Sequence, residues 1–562
     1  MASSSSSSRP PKSIMTEKGF RKPLVEIYKD AVLKDDDILV EKLFQNGLDP
    51  NHIFQQKNVL NGKPLIYFAI QRRASKVIKK LVEHKVKLNP VKEGDFSPLA
   101  FALQNNTVMN KDLKLLITLG ANIKELDQKE GKDGSLNLLL KSRTKDNSVL
   151  IMVKYLIEQG AEIDHIGQDG FTPLMLACIN RDKEVMKWFL YLDANINAVD
   201  FSGNSMLFHC VNHFDTYKLN LPRLKKKPIP GVKYSKIFKI YNYEKIIKYI
   251  LDEGIDIYIQ NNRNLTILHH ILYKTKEILN NDNFDEEEKS ILEKEISKVF
   301  FFILNNWDDD KINLQSTDGY TLFHLSISLE LYEYNKILAS HIIGKSNNFN
   351  INLKNNHGVH FFELLLDADF CNSDYIIALL RKYPNFDINQ SISSSTSHST
   401  NICFLSGLCF YGNRYLKAVK FLLSDEFAEI SQQQIDVNYR DDLGNSPVFY
   451  SVTSDEPSYA LTELLITSGA EISIPNANDM TPICFLLNKS DLSQEESQIM
   501  NLLSQSLYIS GSSPEAACSS PYNTSCTPEG FCNLPDDYSY HSDSETPPAS
   551  PQPFALTYTD DF

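Results

Sequence analysis

The sequence predicts an all-α solenoid: helical hairpins, each opened by a β-turn, stacked in an array with disordered ends. Three observations predict it. The stretch Gln168–Asn197, QDGFTPLMLACINRDKEVMKWFLYLDANIN, reads as one complete helix–turn–helix unit. The same grammar returns at intervals of roughly 33 to 40 residues, a period that marks a stacked array rather than one closed domain. A glycine then stands repeatedly just past the last apolar residue of the second helix.

Within the unit, Asp169 and Gly170 supply a tight turn, Thr172 can cap a helix with its hydroxyl, and Pro173 sits where the first turn needs no amide donor. The first helix carries Leu174, Leu176 and Ala177; the second brings Val185, Trp188, Phe189 and Leu190 at spacings of three and four. Its turn aligns with DFSPL (Asp95–Leu99), GNSML (Gly203–Leu207), NLTILHH (Asn264–His270), GYTLFH (Gly319–His324), GNSPV (Gly444–Val448) and DMTPI (Asp479–Ile483). Its second helix aligns with segments ending at Asn51, Ile123, Asp164, Ile257 and Ile472. The glycines at 47, 120, 160, 254 and 469 are therefore read as helix stops, where a left-handed backbone is required.

Together these residues resemble the ankyrin-repeat family, whose unit is a β-turn and two antiparallel helices with a T-P-L-H-x-A core motif. The resemblance spans about twelve units between Leu24 and Ser506. It is strongest at 168–197 and in the unit beginning at Gly203. Near Gly358 (GVHFFELLL) and Thr400 (TNICFLSGL) little survives beyond apolar periodicity and a D-I-N or D-V-N ending. The resemblance implies a gently curved stack whose turn tips and first helices line a concave, protein-binding groove. It also implies that His269 and His324, in the T-P-L-H position, brace adjacent turns by hydrogen bonds to backbone groups. His209, His270, His357 and His360 depart from that position, and no role is carried over to them.

Composition bounds the rest. A chain of 562 residues, 42% hydrophobic and 10% aromatic, could hold several domains, but the period makes length mean more copies of one module. The longest apolar runs, such as Val299–Leu304, fall far short of the ~20 residues a membrane helix needs. The start, MASSSSSSRPPKSIM, lacks the apolar stretch of a secretory signal and reads as a Ser-rich, basic leader. Nine cysteines in such a length form no dense framework, so a reduced, cytoplasmic setting is expected. The net charge of -14 is uneven: after Lys489 there is no Lys or Arg. An acidic chain of this kind is a poor general binder of nucleic acid.

These features divide the chain into a disordered leader (1–22), the array (23–507) and a disordered acidic Ser/Pro-rich tail (508–562). Two insertions are expected in the array. One, near 212–243, is basic, with Arg223, Lys225, Lys226 and Lys227 in PRLKKKP. It reads as a nuclear-import signal, a contact patch for phosphates or acidic partners, or simply a solvated loop. The other, near 272–294, holds the acidic run NDNFDEEEKS followed by ILEKEISKV at helical spacing, and stacking neighbours would set the two opposite charges side by side. In the tail, Ser-Pro or Thr-Pro at 513, 520, 527, 546 and 550 are candidate phosphate acceptors. Cys518, Cys526 and Cys532 lack the spacing of a zinc site.

Nothing in the sequence gathers a nucleophile, base and oxyanion site in the manner of an enzyme, and no cofactor motif is present. Gly344-Lys345-Ser346 matches only the end of a phosphate loop, because Ala339 stands where its first glycine is needed. A non-catalytic scaffold binding partner proteins is the function expected, without cofactor, metal, small-molecule substrate or membrane span. The residue after each turn glycine or aspartate is its candidate anchor: Phe96, Phe171, Tyr320 and Met480. Two further readings stay open. One is a host-directed effector of an intracellular bacterium or large virus; the other is a phospho-regulated eukaryotic adaptor with a nuclear phase.

Overall fold

The computed structural model describes residues 13–15, 21–54, 63–89, 97–105, 110–128, 131–142, 147–212, 243–368, 371–389, 391–393, 401–454 and 456–509. Helix dominates. The chain divides into two compact units, the first Met1–Asp387 with two short later segments, the second most of the chain from Ile388 onward.

In the first unit the helices pair as α1 (Leu24–Leu33) with α2 (Asp37–Gln45), α3 (Leu65–Gln71) with α4 (Ser75–Glu83), and α5 (Pro98–Gln104) with α6 (Asn110–Thr118). A five-residue α7 (Ile123–Asp127) precedes α8 (Ser135–Ser142) with α9 (Asn147–Glu158). Then come α10 (Pro173–Ile179) with α11 (Lys183–Tyr191), and α12 (Met206–Asn212) with α13 (Tyr243–Asp252). The last three pairs are α14 (Ile267–Leu279) with α15 (Glu286–Asn305), α16 (Leu322–Ser328) with α17 (Tyr332–Gly344), and α18 (Phe361–Asp367) with α19 (Ser373–Lys382). The second unit holds α20 (Phe404–Phe410) with α21 (Leu416–Leu422), α23 (Pro447–Thr453) with α24 (Tyr459–Thr467), and α25 (Pro482–Leu487) with α26 (Gln494–Ile509). Helix α22 (Asp425–Ser431) lies between α21 and α23 in sequence.

Local chemistry starts six of the first helices, while α1 and α3 begin after Pro23 and Pro64 without a side-chain cap. The side chains of Ser97, Thr172, Thr266, Thr321, Ser446 and Thr481 accept the amide three residues on, and Pro98, Pro173, Pro447 and Pro482 follow where no donor is wanted. First helices are short and buried on nearly every side; in α3, all of Leu65–Ile70 are buried. A continuous apolar run is what such a position demands, because own-repeat and neighbouring helices cover every face. Second helices bury one stripe only. In α11 this is Val185, Met186 and Phe189, while Trp188 and Leu190, expected in the stripe, lie at its half-buried flank. The stop glycines adopt the left-handed backbone, φ running from 86° to 104° at residues 47, 120, 160, 254 and 469.

Two features depart from expectation. Part of the leader is ordered: Ser13–Met15 pairs antiparallel with Arg21–Pro23, directly before α1. The segment 272–294 is not a loop but the lengthening of α14 to 13 residues and α15 to 20. Its acidic run starts a helix. Asp285 accepts from Glu288 N, the Glu288 carboxylate accepts from Asp285 N, and Glu286 and Glu287 sit at the positive end of the macrodipole. Tyr508 and Ile509, expected in the tail, close α26; the rest of the tail, Phe96 and the basic insertion with Arg223, Lys225, Lys226 and Lys227 lie outside the described residues.

Candidate partner-binding surface

Five of the turns are five-residue hairpins closed by an Asp or Asn at their start; in two others Gly167 and Ser316 hold that place. Asp200 Oδ1 accepts from Ser202 N and Asn204 N, both at 2.8 Å, while Asp200 N donates to Asn204 O at 3.0 Å. Asn261, Asn355, Asp441 and Asn476 repeat this pattern. An acceptor reaching two and four residues ahead holds the tip without helix or sheet. In the first unit, consecutive tips are joined backbone to backbone: Asn262 N to Ser202 O, Thr317 N to Arg263 O and Asn356 N to Asp318 O, at 2.9 to 3.0 Å. At Gly170 (φ 81°) a Cβ would lie 2.5 Å from Phe201 N, so the stacking itself forbids a side chain there.

The three described anchors, Phe171, Tyr320 and Met480, are half-buried. Phe171 is half-buried, its ring edge-on to His209 at 4.7 Å, and its carbonyl accepts from Asn137 Nδ2 at 2.8 Å. Tyr320 is half-buried, its carbonyl accepting from His269 Nε2 at 3.2 Å. Met480 is half-buried as well, with its sulfur 3.8 Å from Asn488 Nδ2. The side chains that leave the tips come before the left-handed residue of each turn. Phe201, second in its turn, is 64% exposed, and the third residues Arg263, Asp318 and, in the second unit, Leu443 are exposed as well. The available signal was position: these residues stand one or two places before the left-handed residue of the turn, Gly203, Asn264, Gly319 or Gly444.

Beneath the tips of the first unit lie histidines. His269 bridges Thr266 Oγ1 (2.8 Å) and the Tyr320 carbonyl of the next turn, the bracing expected of it. His324 makes the same bond to Thr321, while its Nε2 stops short of hydrogen-bond geometry. His360 instead caps α18, Nδ1 accepting from Phe362 N and Nε2 donating to Ile351 O at 2.5 Å. His270 meets Asn212 Oδ1 at 2.6 Å. Burial pushes His269 and His324 down to about 4, and His270 and His360 to about 3, so all four are neutral braces near pH 7. His209 Nε2 lies 3.0 Å from Asp200 Oδ2. Burial pushes that carboxyl up, but His209 and the Asn204 amide outweigh it and hold it below its usual value.

Lys141 Nζ spans two tips, 2.8 Å from Asp133 and 2.6 Å from Asp169. On the second helices, lysines cap the rings of the following repeat: Lys114 over Tyr155 at 4.7 Å, Lys154 over Trp188 at 4.1 Å and Lys183 over Tyr249 at 5.0 Å. Among the described residues no three His, Cys, Asp or Glu side chains converge as a metal site, and no helix is long and apolar enough to cross a membrane.

A family model described as ankyrin repeats (3 copies) matches residues 138–221, the region where the motif is fullest. The ankyrin repeat protein L371 of Acanthamoeba polyphaga mimivirus is 24% identical over 344 residues, covering 58% of this chain and 43% of that protein. The chain thus spans under half the length of that relative. Among solved structures, the ankyrin repeat domain of Bcl-3, a member of the IkappaB protein family, is similar at 17% identity, covering 44% of this chain and 92% of that one, TM-score 0.32. The human ASB11 ankyrin repeat domain follows at 16% identity, 43% and 89% coverage, TM-score 0.31. The chain is an ankyrin-repeat protein. Such repeats are protein–protein interaction modules, and proteins built from them are generally non-catalytic.

Proposed function

We propose that this chain is a non-catalytic scaffold that binds partner proteins through its turn tips and first helices, in the cytoplasm. The observation carrying this reading is the tip ladder. Backbone bonds fix consecutive hairpins, while Phe201, Arg263 and Asp318 are exposed on them, Arg263 with its guanidinium 5.8 Å from the centre of the Tyr273 ring. A rigid row of outward side chains binds at little ordering cost. The test is capture of partners by the full chain, compared with F201A, R263A and the pair. Loss of the same partners from the variants, with unchanged thermal unfolding, supports the reading; identical capture sinks it. The similarity to a mimivirus ankyrin repeat protein favours a second reading, a host-directed effector of a large virus. It is tested by whether the chain, expressed in amoebal cells, captures host proteins that a scrambled-tip variant does not.

A further inference from the structure

Cys178 and Cys210 are joined by a disulfide, and they belong to α10 and α12, the first helices of two consecutive repeats. Their Cα atoms are 6.5 Å apart, 32 residues apart in sequence, and both side chains are buried, at 2% and 5% exposure. That Cα separation is one a disulfide spans without backbone movement. Neither helix depends on the bond. Thr172 caps α10, Asn180 Nδ2 at its end donates to Leu140 O at 2.6 Å, and Leu174–Ala177 and Met206–Phe208 are buried. Three other described cysteines, Cys371, Cys403 and Cys409, are buried thiols, and burial pushes Cys403 and Cys409 up, away from thiolate.

We propose that Cys178 and Cys210 form a reversible thiol–disulfide lock that clamps two consecutive repeats, with a small disulfide of the glutathione class as oxidant and the corresponding thiol as reductant. The Cys210 thiolate, the more exposed of the two, attacks one sulfur of the small disulfide, forming a mixed disulfide and expelling one thiolate. The Cys178 thiolate then attacks the Cys210 sulfur, forming the Cys178–Cys210 bond and expelling the second. Two electrons pass from the cysteine pair to the oxidant, and the two cysteine protons end on the two released thiols. Because both sulfurs are covered, exchange proceeds through local opening of α12. Once closed, the lock joins the helix that follows Phe171 to the helix that carries its ring partner His209.

The experiment uses the full chain in buffers spanning ratios of oxidised to reduced glutathione, followed by acid quench, alkylation and peptide mass spectrometry. The linked peptide is expected to rise with the ratio and to disappear when the native protein is returned to reducing buffer. Amide hydrogen exchange in α10 and α12 should slow about tenfold in the oxidised form. C210S should show no dependence on the ratio. The reduced wild-type chain is the reference for exchange, so a variant that misfolds leaves the comparison intact. Absence of the linked peptide at every ratio, a bond reducible only in denaturant, or unchanged exchange on oxidation each overturns the proposal.

Discussion

Asn352 reads the backbone of the next repeat with both ends of its carboxamide: Oδ1 accepts from Asp387 N at 3.1 Å and Nδ2 donates to Asn385 O at 3.0 Å. The same acceptor role falls to Asn51, Asn89, Asp127, Asp164, Asn197 and Asn313 in the first unit and to Asn389 and Asn438 in the second. Where the chain places Tyr258 instead, its hydroxyl takes over, accepting from Asp308 N at 2.7 Å. A carboxylate keeps the amide but has no proton for the carbonyl. N352D should therefore cost about 1 kcal/mol in denaturant unfolding, and D164N, where the carboxylate only accepts, should change it by under ~0.5 kcal/mol. Equal effects would remove the ladder from the account of stability.

Asp35 caps a helix that is not its own. Helix α4 has no side-chain cap from Ala74, and Asp35 Oδ1 accepts from Lys76 N and Val77 N at 2.9 and 3.1 Å. Asp35 also holds φ 50°, which Asn tolerates and Ala does not. D35N should be near neutral, and D35A should lose about 1 kcal/mol or more. D35G, relieved of strain but without the cap, should fall between them.

Phe171 and Phe201 should separate stability from recognition. Truncating the half-buried ring in F171A removes its edge contact with His209 and should lower thermal stability by about 1 kcal/mol. F201A alters a ring that is 64% exposed and should leave stability within ~0.5 kcal/mol while weakening partner capture.

Acid should loosen the array in a definite window. His269, His270, His324 and His360 are depressed by burial to about 3 or 4, so below pH ~6.5 the unfolded chain takes protons the folded chain refuses. Stability should fall as pH drops from ~6.5 towards 4, before any loss from carboxylates held low, such as Asp200. Melting scans across this range check it, and a flat profile would contradict neutral burial of these rings.

The repeat grammar was legible because it is local. Thr172, Pro173 and Gly160 act on backbone within four residues of themselves, and each behaves as its type requires. What escaped reading depends on the neighbour. The choice of Phe171 and Tyr320 as anchors rests on their place after the turn glycine alone; how each tip sits depends on bonds such as Asn262 N to Ser202 O, across separations of about sixty residues that no window sees. The acidic run at 282–288 was likewise given a partner in a loop, when reciprocal capping by Asp285 and Glu288 turned it into a helix start. Non-glycine left-handed positions between the paired helices, at Asp35, Arg73, Arg181 and Glu330, carry no sequence mark at all.

The carboxamide ladder also sets how the first unit answers to tension. Its links run from each repeat to the next and no further, so a force applied at one terminus loads one seam at a time. Stretched in an optical trap, this part of the chain should lengthen in discrete steps. Each released repeat of about 33 residues would add about 11 nm of contour at ~3.4 Å per residue, and the row would recoil in reverse order when slackened. A scaffold with such seams behaves as a spring whose rest length its bound partners can read.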